Sequence, residues 1–147
     1  MTISRRRSRP RRVLELDARN YAILAAEAAA DKKAADVVVL DVAELLVITD
    51  YFVVCTGRND RQVKVIAEEV EKRLKAAGLP LLGSEGEREA VWVLLDFADV
   101  VVHVFQPQER EFYRLERLWS SAPRVELPES VTGPEEARQE AEPADVK

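Results

Sequence analysis

The residue types that could do chemistry are concentrated in one segment, W-V-L-L-D-F-A-D-V-V-V-H-V-F, which runs from Trp92 to Phe105. The segment contains two carboxylates, Asp96 and Asp99, and the only imidazole of the chain, His103. Carboxylates beside an imidazole can hold a divalent metal or transfer protons. Aromatic and charged side chains together also form the energetic centre of many protein interfaces. The segment therefore has three candidate roles, which are metal binding, acid–base catalysis and protein binding.

The apolar residues of this segment predict a hairpin of two strands with Phe97-Ala98 at the turn. We expect a register that pairs Asp96 with Asp99, Leu94 with Val101, and Trp92 with His103. Because side chains alternate along a strand, the hairpin has two different faces. The mixed face carries Trp92, Leu94, Asp96, Asp99, Val101, His103 and Phe105, and the aliphatic face carries Val91, Val93, Leu95, Val100, Val102 and Val104. We expect a helix over the aliphatic face and function on the mixed face.

The spacing of the two carboxylates bears on the metal hypothesis, for which Asp41 and Asp50 are further candidate ligands. Gly83-Ser84 followed by Asp96 resembles nucleotidyltransferases, in which a Gly-Ser precedes an Asp-x-Asp pair that holds Mg²⁺ on one side of a strand. In this chain Asp99 comes three residues after Asp96, so the two carboxylates flank the turn. A basic side chain of a partner protein could bridge them as well as a metal, and turn geometry by itself also favours aspartate there. We expect no metal and no cofactor.

Other polar features have weaker signals. Cys55, the single cysteine, lies inside an apolar strand, where a core thiol is commoner than a nucleophile. Gly57 lies between a strand and a helix, as in phosphate-binding loops, but it is not part of a glycine-rich run. Tyr113 beside Arg110 in the last predicted helix is a common protein-contact pattern. His103 has three interpretations, namely a buried core histidine, a binding-face residue and a general base.

Composition and charge favour a cytoplasmic protein with one hydrophobic core. The chain has 147 residues and no apolar run close to the about 20 residues that a membrane helix requires. One cysteine permits no internal disulfide framework. Residues 1–12 carry six arginines and no acid, residues 13–123 carry 20 acids and 13 bases, and residues 124–147 carry seven acids and three bases. The acidic body suits a basic protein partner, and the arginine tail could contact RNA or an acidic surface.

The order of elements predicts a mixed α/β fold. Helices are expected at residues 16–33, 61–77 and 108–119, strands at 37–41 and Tyr51–Thr56, a short edge strand at 79–82, a polar loop at 83–89, and then the hairpin. We expect one mixed sheet with helices mainly on one face and with Tyr51–Thr56 near its centre. The predicted division is a disordered basic tail at 1–12, an α/β domain at 13–122 and a disordered acidic tail at 123–147.

Several motifs follow one another in an order that is specific to a known family. They are residues 36–41, 48–57, 61–63, Glu85-Gly86, the segment from Trp92 to Phe105, and residues 110–119. Together they resemble the ribosomal silencing factors (RsfS, also called Iojap) over about residues 15–121. Two departures are Phe97-Ala98, where the second residue is usually glycine, and residues 44–46, which replace a more polar stretch.

The resemblance implies a fold similar to nucleotidyltransferases without their catalytic Asp-x-Asp, and a protein that is not an enzyme. It implies binding to the large ribosomal subunit through its basic ribosomal protein number fourteen. A domain bound there would block joining of the small subunit and repress translation under nutrient limitation. Free members of the family tend to form homodimers. On this hypothesis the partner-binding residues are Trp92, Asp96, Asp99, His103, Phe105, Arg110 and Tyr113.

Two competing hypotheses remain open at the level of sequence. One is a metal-dependent nucleotidyl- or phosphotransferase that uses Asp96 and Asp99. The other is an RNA-binding accessory protein that uses the arginine tail.

Overall fold

The computed structural model describes residues 17–46, 48–113 and 120–132, which form a mixed α/β fold around one five-stranded sheet. The helices in these parts of the chain are α1 (Ala18–Asp31), α2 (Asp60–Ala76), α3 (Pro107–Tyr113) and α4 (Glu129–Thr132). The strands are β1 (Ala35–Asp41), β2 (Tyr51–Thr56), β3 (Gly83–Glu85), β4 (Trp92–Asp96) and β5 (Val100–Phe105). The sheet order is β1-β2-β5-β4-β3, in which β2 and β5 are parallel and the other neighbours are antiparallel. The predicted fold class is confirmed, and β2 lies inside the sheet as expected.

Helices α1 and α2 pack on the aliphatic face, as the sequence predicts. Their first turns are capped by Asp17 and Asn59, whose side-chain oxygens each accept a backbone N–H at 2.9 Å. Small alanines of α1 and the apolar stripe of α2 cover Val53, Val93 and Val102 of the sheet, all of which are fully buried. Val91 is the exception on this face, because it precedes β4 and its side chain is exposed.

The hairpin between β4 and β5 has the predicted faces but a different register. The observed pairs are Trp92–Phe105, Leu94–His103 and Asp96–Val101, a shift of two residues from the expected register. The backbone N–H of Phe97 donates to the carbonyl of Val100, so the turn lies at Ala98-Asp99. Phe97 is fully buried, and its burial draws this residue into the strand pairing. A shift of two preserves the alternation, which is why the faces were correct although the register was wrong.

The edge strand next to β4 is β3, not residues 79–82, so the prediction of an edge strand there and a loop from 83 was wrong. The backbone N–H of Leu79 donates to the carbonyl of Leu74 and closes the end of α2. The chain reaches the edge of β4 only at Leu82, whose N–H donates to the carbonyl of Asp96. Residues 79–81 therefore connect the end of α2 to the edge of β4.

The other edge of the sheet is covered by residues that were expected in the disordered acidic tail. The carbonyl of Pro123 accepts the N–H of Asp41, and the N–H of Val125 donates to Val39, each at 2.8 Å. Val125 is buried against the main core, and α4 follows it. Disorder was therefore wrong for residues 123–132, because a few apolar residues and the free edge of β1 suffice to hold them. Residues 1–12 and 133–147 lie outside the described residues, and the predicted domain division stays a prediction.

Candidate functional site

Four aromatic side chains form a connected cluster on the mixed face of the sheet. The ring of Trp92 stacks on Phe105 with centroids 4.9 Å apart and planes 25° apart. The indole N–H of Trp92 donates to Nδ1 of His103 at 3.1 Å. His103 in turn meets Phe52 in a T-shaped contact with centroids 4.9 Å apart. Trp92 is half-buried, whereas the other three are buried, so Trp92 is the member that faces outward.

His103 is a core histidine, and its surroundings suit neither a general base nor a metal ligand. Its side chain is only 4% exposed, and burial lowers its pKa to about 4. Because Nδ1 accepts the indole N–H, the ring proton lies on Nε2, which has no hydrogen-bond partner among the described residues. Of the three interpretations of His103, the buried core histidine agrees with the structure.

The fold brings four aspartates to one end of the sheet, which we call the acidic end. Strands β1 and β4 finish with Asp41 and Asp96, while Asp50 and Asp99 immediately precede β2 and β5. Asp50 and Asp99 are 1% and 8% exposed, and the carbonyl of Asp99 accepts the N–H groups of Asp50 and Tyr51. Burial and then the carboxylate of Asp41 raise the pKa of Tyr51. The sequence separates these residues by up to 58 positions, so only the sheet topology joins them.

The acidic end does not have the geometry of a metal site in the part of the chain that the structure describes. No group of three or more aspartate, glutamate, histidine or cysteine side chains there could hold a metal ion. Oδ1 of Asp96 instead accepts the backbone N–H of Ala98 at 2.8 Å and stabilises the turn. Turn geometry thus accounts for this aspartate, one of the alternatives that the sequence left open.

The half-buried residues of the mixed face form a continuous surface, which we call the outer strip. It consists of Trp92, Leu94 and Asp96 on β4 and Val101 on β5. Glu85 on β3 pairs directly with Leu94, so this exposed carboxylate borders the strip. Sequence reasoning did not select Glu85 because it expected a loop there.

The remaining candidates have internal partners. Cys55 is fully buried, and burial raises its pKa to about 12, so the thiol is a core residue as predicted. The N–H of Gly57 donates to Phe105 and that of Arg58 to the Gln62 side chain, so these groups are not oriented for a phosphate.

Helix α3 is attached to the sheet by Arg110. Its Nη1 donates to the carbonyl of Asp36 at 2.6 Å and to Oγ1 of Thr56 at 2.9 Å. The guanidinium therefore joins α3 to β1 and β2, a structural role that the prediction of a contact residue did not include. Tyr113 is the last residue of α3, and its side chain lies outside the described residues, as do residues 114–119. Their predicted contacts with a partner stay predictions.

Comparison with known proteins decides the family. A family model described as "Ribosomal silencing factor during starvation" matches residues 15–147. The chain belongs to the ribosomal silencing factor family. The resemblance found in the sequence is thereby confirmed, and the match extends beyond residue 121 into the segment that covers β1.

Relatives and a solved structure agree with this family. "Ribosomal silencing factor RsfS" of Halalkalibacterium halodurans is 46% identical over 104 residues, which cover 71% of this chain and 89% of that protein. "Mitochondrial assembly of ribosomal large subunit protein 1" of Mus musculus is 33% identical over 92 residues, which cover 60% of this chain and 40% of that protein. A crystal structure from Chromobacterium violaceum has a TM-score of 0.70 and 37% identity, and the match covers 81% of this chain and 98% of that one.

Gly86, which follows β3, has a packing reason in this structure. Gly86 has φ +86°, and a Cβ on it would lie 2.0 Å from the carbonyl oxygen of Trp92. No side chain fits there, so the glycine lets the chain after β3 pass close beside the start of β4. The contact lies at the backbone of Trp92, the outward member of the aromatic cluster.

In the described parts of the chain, no helix is long and apolar enough to cross a membrane.

Proposed function

We propose that the protein binds the large ribosomal subunit through the basic ribosomal protein number fourteen and sterically blocks joining of the small subunit. Translation would then be repressed when nutrients are limiting. The description of the family supports a silencing role, and the name of the murine relative refers to the ribosomal large subunit. The proposed mechanism is exclusion of one subunit by a bound domain, which requires affinity and position but no catalytic group.

The outer strip is the surface that best fits such a partner, and the half-buried Trp92 is the observation that carries this choice. A tryptophan that is partly exposed and held by neighbouring side chains supplies a large contact area with little ordering on binding. Leu94 and Val101 continue the apolar surface beside it. Asp96 and Glu85 border these residues with negative charge. An apolar centre with charged residues at its margin is the usual composition of a specific protein interface.

Charge supports a basic partner. Residues 13–123 carry 20 acids against 13 bases, and the fold places Asp41, Asp50 and Asp99 at the same end of the sheet as Asp96 of the strip. Complementary charge accelerates encounter and fixes orientation, whereas the apolar centre provides most of the affinity. The accessible carboxylates are the ones that matter for contact, so Asp96 is a stronger candidate than the buried Asp99.

Sedimentation with separated ribosomal subunits tests the proposal. The wild-type chain should sediment with the large subunit and not with the small one, and it should reduce joining of the two. Trp92→Ala should weaken binding by about 2 kcal/mol or more, since it removes the aromatic side chain of the strip. Asp96→Asn retains an oxygen for the N–H of Ala98 but removes the charge, so it should weaken binding without loss of stability.

Glu68→Lys is the matched control, because Glu68 is exposed on α2, behind the opposite face of the sheet. It should bind as the wild type does, whereas Glu85→Lys should not. Equal binding by all of these variants would disprove the assignment of the outer strip, and absence of wild-type binding would disprove the function itself.

We further propose a cytoplasmic location and a homodimer in the absence of ribosomes, with self-association in competition with the ribosomal partner.

A further inference from the structure

The orientation of Trp92 is set by a specific hydrogen bond as well as by packing. Its indole N–H donates to Nδ1 of His103 at 3.1 Å while its ring stacks on Phe105 at 4.9 Å. These partners lie on β5, directly beside β4, and both are buried. One face of the indole ring and its N–H are therefore held by buried side chains of β5, while Trp92 as a whole is half-buried.

The hydrogen bond has one donor and one acceptor that cannot exchange roles. Indole nitrogen only donates, so Nδ1 of His103 must be unprotonated and the imidazole must be neutral. Burial among Phe52, Trp92 and Phe105 favours this neutral form and lowers the pKa of His103 to about 4. The acceptor is thus present at neutral pH.

We infer that His103 is a positioning residue for partner binding, which holds the Trp92 indole in its binding orientation without itself touching the partner. The inference rests on the proposed function, in which Trp92 is the main aromatic contact of the outer strip. A side chain that is already ordered loses less conformational entropy when it enters an interface. His103 would therefore contribute to affinity through Trp92 alone.

A second observation distinguishes the two nitrogens of the imidazole. Nε2 of His103 is buried and has no hydrogen-bond partner among the described residues. A buried donor without a partner destabilises a fold relative to an apolar side chain of similar shape. An apolar residue could fill this position, but it could not accept the indole N–H.

The test compares two substitutions of nearly equal size. His103→Asn can place its side-chain oxygen close to the position of Nδ1, whereas His103→Leu has no acceptor. We expect His103→Leu to bind the large subunit about tenfold more weakly, with a thermal midpoint close to that of the wild type, because loss of the unpartnered Nε2–H offsets loss of the indole's acceptor. His103→Asn should bind within about threefold of the wild type.

The indole N–H signal of Trp92 in a nitrogen-edited NMR spectrum reports the same bond in the free protein. The signal is assigned with Trp92→Phe, since the chain contains a second tryptophan. It should shift in His103→Leu, and it should remain in a hydrogen-bonded position in His103→Asn. In the Trp92→Phe background, His103→Leu should have no further effect on binding.

Each other outcome overturns the inference. If His103→Leu binds normally while Trp92→Ala does not, His103 has no positioning role although the proposed function stands. If His103→Leu loses stability and binding in parallel, as a buried control such as Val54→Ala would, the role is structural only. If the wild type does not bind the subunit, the proposed function itself is wrong, and this result differs from failure of the inference about His103 alone.

Discussion

Oδ1 of Asp96 accepts the backbone N–H of Ala98 at 2.8 Å, so this carboxylate stabilises the turn beside which it lies. The same turn places Asp99 over the start of β2, where its carbonyl accepts two backbone N–H groups. One turn therefore stabilises the hairpin and also connects it by hydrogen bonds to the start of β2. Changes in these residues act on the fold and on the charge of the surface at once, and variants must separate the two effects.

Ala98→Gly should stabilise the protein. Ala98 has φ +74° in a tight turn where the N–H of Asp99 donates to the carbonyl of Phe97, a conformation that is unfavourable for any residue with a Cβ. Glycine removes that cost but increases the entropy of the unfolded chain, so we expect a gain of about 0.5–1 kcal/mol in the free energy of unfolding. Urea denaturation measures it. A loss of stability would show that the turn does not adopt this conformation in solution.

Stability should fall as the pH is lowered from about 6.5 to about 4, with His103 as one cause. Its pKa is about 4 in the folded chain against 6.5 when unperturbed, so the unfolded state binds a proton first. This contribution is complete above the unfolded pKa and is lost as the pH falls to the folded pKa. The shift corresponds to about 3 kcal/mol.

Other groups titrate over the same range, so the comparison is between the wild type and His103→Leu. Urea denaturation at about pH 7 and about pH 4 should show a smaller loss for the variant. Parallel losses would mean that the imidazole is not buried in its neutral form.

Cys55 should not react with a thiol reagent in the folded protein. The side chain is fully buried and its pKa is raised to about 12, so both access and thiolate are lacking at neutral pH. As the single cysteine of the chain, it should react fully only after denaturation. The extent of reaction is measured by the absorbance of the aromatic thiol that the reagent releases. Rapid labelling of the native protein would contradict the predicted core position.

Val125→Ala should destabilise the fold by about 2 kcal/mol, although it lies outside the predicted domain. Val125 is buried against the core, and its backbone pairs with β1. Arg124→Ala is the control, because that side chain is exposed while its backbone bridge with Leu40 is retained. Thermal unfolding should distinguish the two, and equal midpoints would restore the prediction of a loose tail.

Local patterns were enough to predict the bounds of several helices and strands. Helix α2, expected at 61–77, begins and ends within one residue of those bounds, and strand β2 has the expected bounds Tyr51–Thr56. Alternation in the hairpin correctly separated the aliphatic face from the mixed one, because the pleat of a strand depends only on position along the chain.

The register and the edges could not be predicted in the same way. The burial of Phe97 moved the turn by one residue, and nothing in the local sequence states how deeply that side chain lies. The use of Leu79 to close α2 moved the edge strand to β3, and the free edge of β1 gave residues 123–125 a place to pair. The burial of Phe97 and the pairing of residues 123–125 depend on partners that are distant in the sequence.

The sequence by itself determined the family, the fold class, the two faces of the hairpin and the core position of Cys55, since motif order and periodicity are properties of the chain alone. The tertiary structure decided that His103 lies beneath Trp92 as its hydrogen-bond acceptor, that Arg110 fastens α3 to the sheet, and that four aspartates share one end. Those relationships arise from the pairing of strands and from the competition for buried space, which act between residues far apart in sequence.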